Sequence, residues 1–141
     1  MVYNINKRKP IFCELNNKTG GSTIEKTDTF YMELEQGPFE MIENGSKTIE
    51  LRLYDEKRQR LSVGDLIVFT NRADSRRLTA RILKLHIYDS FKELYKELPL
   101  LKCGYTQENV NSASYKDMLE YYPAEKQLAY KVAGIELEVI K

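Results

Sequence analysis

Apolar and polar residues alternate most strictly over 45–54, where Ile49, Leu51 and Leu53 interleave with Thr48, Glu50, Arg52 and Tyr54. A period of two marks a half-buried strand. One face of this strand is wholly apolar and must meet the core; the other carries a carboxylate, a guanidinium and a phenol in a row. Upstream, 29–34 is β-compatible. Pro38 suits the first turn of a helix. Phe39, Met41 and Ile42 give that helix an apolar side, and Gly45 stands at its stop, so the spacing predicts a short helix over 38–44.

Downstream, 55–60 reads as a charged connection, and 61–65 as a turn feeding a strand over 66–70. A basic polar loop over 72–77 precedes a long strand over 78–88. Leu78, Ala80 and Ile82 alternate first; Leu83, Leu85 and Ile87 then take over, and this change of parity predicts a bulge or sharp bend near Ile82 and Leu83. Ser90 and Glu93 have the spacing of a capping box. The helix that follows has Phe91, Leu94, Tyr95 and Leu98 as its apolar stripe and ends at Pro99. Residues 104–112 read as loop. Ser114 caps a second helix with Tyr115, Met118, Leu119 and Tyr122 inward, stopped by Pro123. A final strand over 132–140 sets Ala133, Ile135, Leu137 and Val139 against Glu136 and Glu138.

The strands are not each followed by a helix. That order argues against a doubly wound parallel sheet and for an α+β fold, a small barrel with flanking helices. The 141 residues fit one domain. Residues 1–28 are mostly polar, with turn and linker residues over 16–23, and read as an N-terminal extension. Val2, Tyr3, Ile11 and Phe12 leave room there for a short added strand; the domain proper runs over 29–141.

Composition narrows the function classes. Twenty-two basic side chains face 21 acidic ones, so duplex DNA bound by blanketing its phosphates is not expected. Any nucleic acid must meet a local patch or a pocket. One histidine, His86, and two separated cysteines, Cys13 and Cys103, supply a zinc site poorly, whereas the many carboxylates leave an all-oxygen Mg²⁺ site open. No metal ligand set or cofactor is assigned. Two unpaired thiols, no long apolar span and no apolar leader make the cytoplasm the expected compartment.

The segment Gly45-Ser46-Lys47-Thr48-Ile49-Glu50-Leu51-Arg52 resembles the G-x-K-x-x-E-x-R mark of the ASCH family, within the PUA-like superfamily. Val63-Gly64-Asp65 with Ile67-Val68-Phe69 and Asn71 is similar to the family's strand entry. Tyr88-Asp89-Ser90-Phe91 is similar to its helix entry. Tyr122-Pro123, Glu125 and Tyr130-Lys131-Val132 are similar to its closing segment. The likeness covers about 30–140. It implies a PUA-like mixed β pseudo-barrel with a cleft beside the motif strand, and RNA or a modified nucleoside as ligand. One branch resembles amidohydrolases acting on acetylcytidine. That branch pairs the motif lysine with a threonine three residues later, where this chain has Glu50, and it needs a distant glutamate that no motif places here.

Residue chemistry gives the motif definite capacities. Gly45 permits the tight turn that brings Lys47 to the mouth of the strand. Glu50 and Arg52, two apart, point the same way. Arg52 offers a planar fork to a phosphate or a base edge, Glu50 accepts from an exocyclic amine, and Lys47 holds a phosphate. As an enzyme, Lys47 or Glu50 would activate water toward an amide carbonyl. On pattern alone, such a Glu and Arg pair is more often a solvated face or a structural ion pair. Tyr88 and Tyr130 rank first among tyrosines for stacking a splayed base, by their motif neighbours, ahead of Tyr54, Tyr121 and Tyr122. Asn71 reads a base or closes a turn. Arg72, Arg76 and Arg77 track a phosphate backbone or form a solvated loop. Asp65 reads as turn chemistry and His86 as structural, and Cys103 has no activating partner.

Three functions follow as expectations. The first is a module binding RNA, a nucleotide or a nucleoside through Lys47, Glu50 and Arg52, with Asn71, Tyr88 and Tyr130 beside them. The second is a metal-independent amidohydrolase with Lys47 and Glu50 as its catalytic pair. The third is a protein-interaction domain in which the motif only holds the barrel together. Fold alone does not separate them.

Overall fold

A computed structural model describes residues 3–4 and 26–141 of the chain. Its regular elements are β1 (Tyr3–Asn4), β2 (Thr29–Leu34), α1 (Gln36–Glu43), β3 (Ile49–Leu53), β4 (Leu66–Asn71), β5 (Arg77–Tyr88), α2 (Phe91–Glu97), α3 (Ala124–Tyr130) and β6 (Val132–Ile140). The main path of the sheet runs β2-β4-β5-β6-β3. Among the described residues only β2 and β4 run parallel; the remaining pairs are antiparallel. The sheet curls into a half-barrel with flanking helices, the α+β, PUA-like arrangement expected from the element order. β1 adds to β5 through Tyr3 opposite Ile87 and Asn4 opposite His86. Ile11 and Phe12, which also left room for a short added strand, lie outside the described residues.

The long strand bends where its parity changes. Ile82 faces Leu137 and Lys84 faces Glu136, so Leu83 is an extra residue with no partner in the register. This bulge keeps Ala80, Ile82, Leu85 and Ile87 on one face despite the shift from even to odd numbers.

Two apolar cores lie on opposite faces of the sheet. The larger fills the half-barrel and joins Phe39 and Ile42 of α1 to Ile67, Phe69, Ile82, Leu85 and Ile135. The smaller lies outside it, where Ile49, Leu51 and Leu53 of β3 meet Tyr88, Phe91, Leu94 and Leu98. Burying each such large side chain fully contributes about 1.5–3 kcal/mol. The apolar face of β3 therefore packs on α2, while Glu50 and Arg52, opposite Ile135 and Ala133 in the register, turn toward the barrel interior. Both faces of the strand are covered, so the charged face is not the solvated one that alternation ordinarily implies.

The C-terminal half differs from the sequence reading in three respects. Residues Tyr115–Glu120 form a 3₁₀ turn, not an α-helix, and Leu119 is exposed. The capping box stands at Ser114 and Asp117. At Ser90 the hydroxyl bonds the Glu93 side chain instead of a backbone N–H. The Phe91 N–H is met by Gln127 Oε1 at 3.1 Å, from α3. That helix is the third difference: Pro123 ends one turn and serves as the N-cap of the next element.

Candidate functional site

The cleft is built from the turn after α1. Gly45 takes φ +87°, where a side chain would be strained. The Lys47 N–H then bonds Met41 O at 3.0 Å, and Thr48 bonds Lys102 O and Leu137 N on either side. These bonds pin the entry of β3 and fix where Lys47 emerges. The stem of Lys47 lies along Gly104, where an added Cβ would be 3.5 Å from Lys47 Cδ.

Glu50 stands at the centre of an ion triad. Arg52 Nε donates to Glu50 Oε2 at 2.7 Å. Lys47 Nζ forms an ion pair with Oε1 at 2.7 Å. Glu50 is 4 % exposed and Lys47 9 %. Burial raises the carboxyl pKa of Glu50, but the two cations and their hydrogen bonds outweigh it and hold the group below its ordinary value. Arg52 has a second bond, from Nη2 to Glu33 O of β2 at 3.0 Å.

The triad lines an open cleft of about 970 Å³. Its lining also includes Tyr95, Tyr105, Tyr121 and Tyr122, together with Arg72, Glu35, Lys116 and Asp117. Tyr122 stacks on Phe91 with ring centroids 5.8 Å apart, and Tyr121, 69 % exposed, stands beside it. Tyr95 and Tyr105 share a hydroxyl–hydroxyl bond of 2.7 Å, and Tyr105 donates to Asp117 Oδ2 at 2.7 Å. Four basic side chains line the cleft (Lys47, Arg52, Arg72 and Lys116) against five acidic ones (Glu33, Glu35, Glu50, Asp117 and Glu120).

The ASCH domain model matches residues 32–141. The chain belongs to the ASCH domain family. The crystal structure of hypothetical protein PH0355 is similar to this ASCH domain at 31 % identity and TM-score 0.66, over 79 % of this chain and 99 % of that one. The solution NMR structure of protein PF0455 from Pyrococcus furiosus is similar at 29 % identity and TM-score 0.64, over 80 % and 98 %. Protein EF3133 from Enterococcus faecalis V583 shares the fold, at 12 % identity and TM-score 0.54 over 90 % and 83 %. No curated protein matches the chain.

The ASCH domain brings three of the six sequence-derived candidates together, Lys47, Glu50 and Arg52. The other three do not line the cleft. Asn71 is fully buried, and its Oδ1 accepts from the Ala73 N–H at 3.0 Å, which closes the turn after β4. Tyr88 is 1 % exposed, in the outer core. Tyr130, at the end of α3, directs its hydroxyl to Glu56 at 3.4 Å. Of the basic loop, Arg72 is paired with Glu33 and Glu35, and Arg76 with Asp74 and Glu43.

Other groups take the structural parts expected of them. Asp65 accepts from the Ser62 and Asp28 N–H groups, and His86 Nε2 meets Glu136 at 2.9 Å. Burial pushes the Cys103 thiol up to about 12, which removes it as a nucleophile. Tyr105 and Lys116 escape a sequence reading because nothing local marks them, and Tyr95 reads only as part of the apolar stripe of α2; the fold alone brings all three to the cleft. Among the described residues, no helix is long and apolar enough to cross a membrane.

Proposed function

We propose that the cleft binds one or a few unpaired nucleotides of RNA, or a free nucleoside, with Lys47, Glu50 and Arg52 as its polar floor and Tyr121 and Tyr122 as its stacking wall. The observation that carries this reading is the meeting of a buried cation–carboxylate–cation triad with tyrosine rings in one open cleft. Unpaired bases are recognised by this combination of aromatic faces and polar edges. The family is one generally thought to bind RNA. The charge balance of the lining favours contacts to base and sugar over phosphate tracking, since Arg52 and Arg72 already hold carboxylates.

The amidohydrolase reading has less support. Lys47 is spent on Glu50, and a carboxylate held below its ordinary pKa is a weak base. The structural reading has one observation of its own, the bond from Arg52 to the backbone of β2.

Titration of wild type and Lys47→Met with single-stranded oligoribonucleotides and free nucleosides tests the proposal. Wild type binds, and the substitution weakens binding by about tenfold, the scale of one lost charged hydrogen bond. A slope of log K on log[salt] of about −0.7 or shallower is expected, equivalent to at most one phosphate contact. Absence of binding to every probe, or equal binding by both proteins, overturns the reading. Release of cytidine from acetylcytidine would install the hydrolase in its place.

A further inference from the structure

The hydroxyls of Tyr95 and Tyr105 and the carboxylate of Asp117 form an unbroken chain on the cleft wall. Counting protons along it fixes its direction. Asp117 Oδ2 accepts from the Ser114 N–H at 3.1 Å and from Tyr105 at 2.7 Å. An ionised carboxylate only accepts, and a tyrosine has one proton to give. The Tyr105 proton is therefore committed to Asp117. The 2.7 Å contact between the two phenols then has one consistent assignment, in which Tyr95 donates and Tyr105 accepts. Tyr95 has no proton left for a ligand, and the free lone pair on its oxygen can only accept.

We propose that Asp117 and Tyr105 act as positioning residues that make the Tyr95 hydroxyl a hydrogen-bond acceptor in the cleft, and so select a nucleobase carrying an exocyclic amino group over one carrying a carbonyl at that position. The inference deepens the nucleoside-binding reading and rests on it. Its source is the proton count, because a lone tyrosine would rotate its hydroxyl and serve either base. A carbonyl set against the committed oxygen meets lone pair with lone pair, and a site built around one hydrogen-bonding sense rejects the opposite sense strongly.

The test compares cytidine with uridine, each as the free nucleoside and as a single-stranded homopentamer, by calorimetric titration. Wild type prefers the amino base by about tenfold. Tyr105→Phe frees the Tyr95 proton. Uridine affinity then rises and the preference falls to about threefold or less, with melting temperature and cytidine binding largely retained. Tyr95→Phe, which keeps the ring, lowers cytidine affinity and raises that of uridine, because the opposed lone pair is gone. A merely structural role for Tyr105 would weaken both ligands alike. Equal binding of cytidine and uridine by wild type, or an unaltered preference in Tyr105→Phe, overturns the inference while the cleft reading stands. Binding of neither ligand in either form overturns both.

Discussion

Arg52 Nη2 donates to the main-chain oxygen of Glu33 at 3.0 Å, joining β3 to β2 across the two ends of the main sheet path. No ladder pairs those strands among the described residues, so a side chain spans the seam of the half-barrel there. The same guanidinium neutralises the buried Glu50. Arg52→Ala is expected to destabilise the fold by about 3 kcal/mol, because it leaves a buried carboxylate short of a partner. Glu50→Gln should cost a similar amount by leaving two cations facing each other. Urea unfolding measures both; a loss under about 1 kcal/mol would place the triad with ordinary surface pairs.

The triad also sets an acid limit. The folded pKa of Glu50 is depressed relative to its ordinary 4.5, so its stabilising effect is complete above that value. It is lost as pH falls through the lower folded value. Melting curves of wild type and Glu50→Gln should lie well apart at neutral pH and converge in acid, below 4.5. A gap that stays constant down to complete protonation would remove Glu50 as the source.

Gly134 of β6 lies under Leu98. A Cβ added there would come within 2.7 Å of Leu98 Cδ1 and 3.2 Å of Ile49 Cγ2. Gly134→Val is expected to cost about 2 kcal/mol through overpacking. Combining it with Leu98→Ala should give a double variant more stable than the two single losses add up to. Strict additivity in thermal unfolding would show that the two positions do not share this space.

Cys103 should be silent toward thiol reagents in the native protein. It is 5 % exposed and its pKa is about 12, so almost no thiolate exists at pH 8. Iodoacetamide labelling followed by peptide mass analysis should leave Cys103 unmodified until denaturant is added. Rapid labelling under native conditions would contradict the described burial.

The elements that could be read from the chain are those whose signals are local. Alternation located β3, the stop at Gly45 ended α1, and the parity change at Ile82 and Leu83 marked the bulge. The convergence of Lys47, Glu50 and Arg52 was also legible, because residues two apart on a strand share a face. What was hidden depends on contacts distant in sequence. Gln127 caps α2 from 36 residues away, and nothing near Ser90 announces it. The stretch over 115–122 has helical spacing, yet a short 3₁₀ turn serves its packing. Tyr88 and Tyr130 drew attention through neighbouring motif residues, but their rings pack against the outer core and not the cleft.

The bulge at Leu83 has a consequence for how the barrel tolerates change. Remove that one residue and Ile82 and Leu85 still point inward, with Lys84 between them pointing out, because the extra link is what shifted the count. Shortening the strand there would keep its oily side in phase and straighten its path. Curvature and hydrophobic phase are thus written by different residues in this strand, and evolution or design can adjust the roundness of the barrel without rewriting its interior.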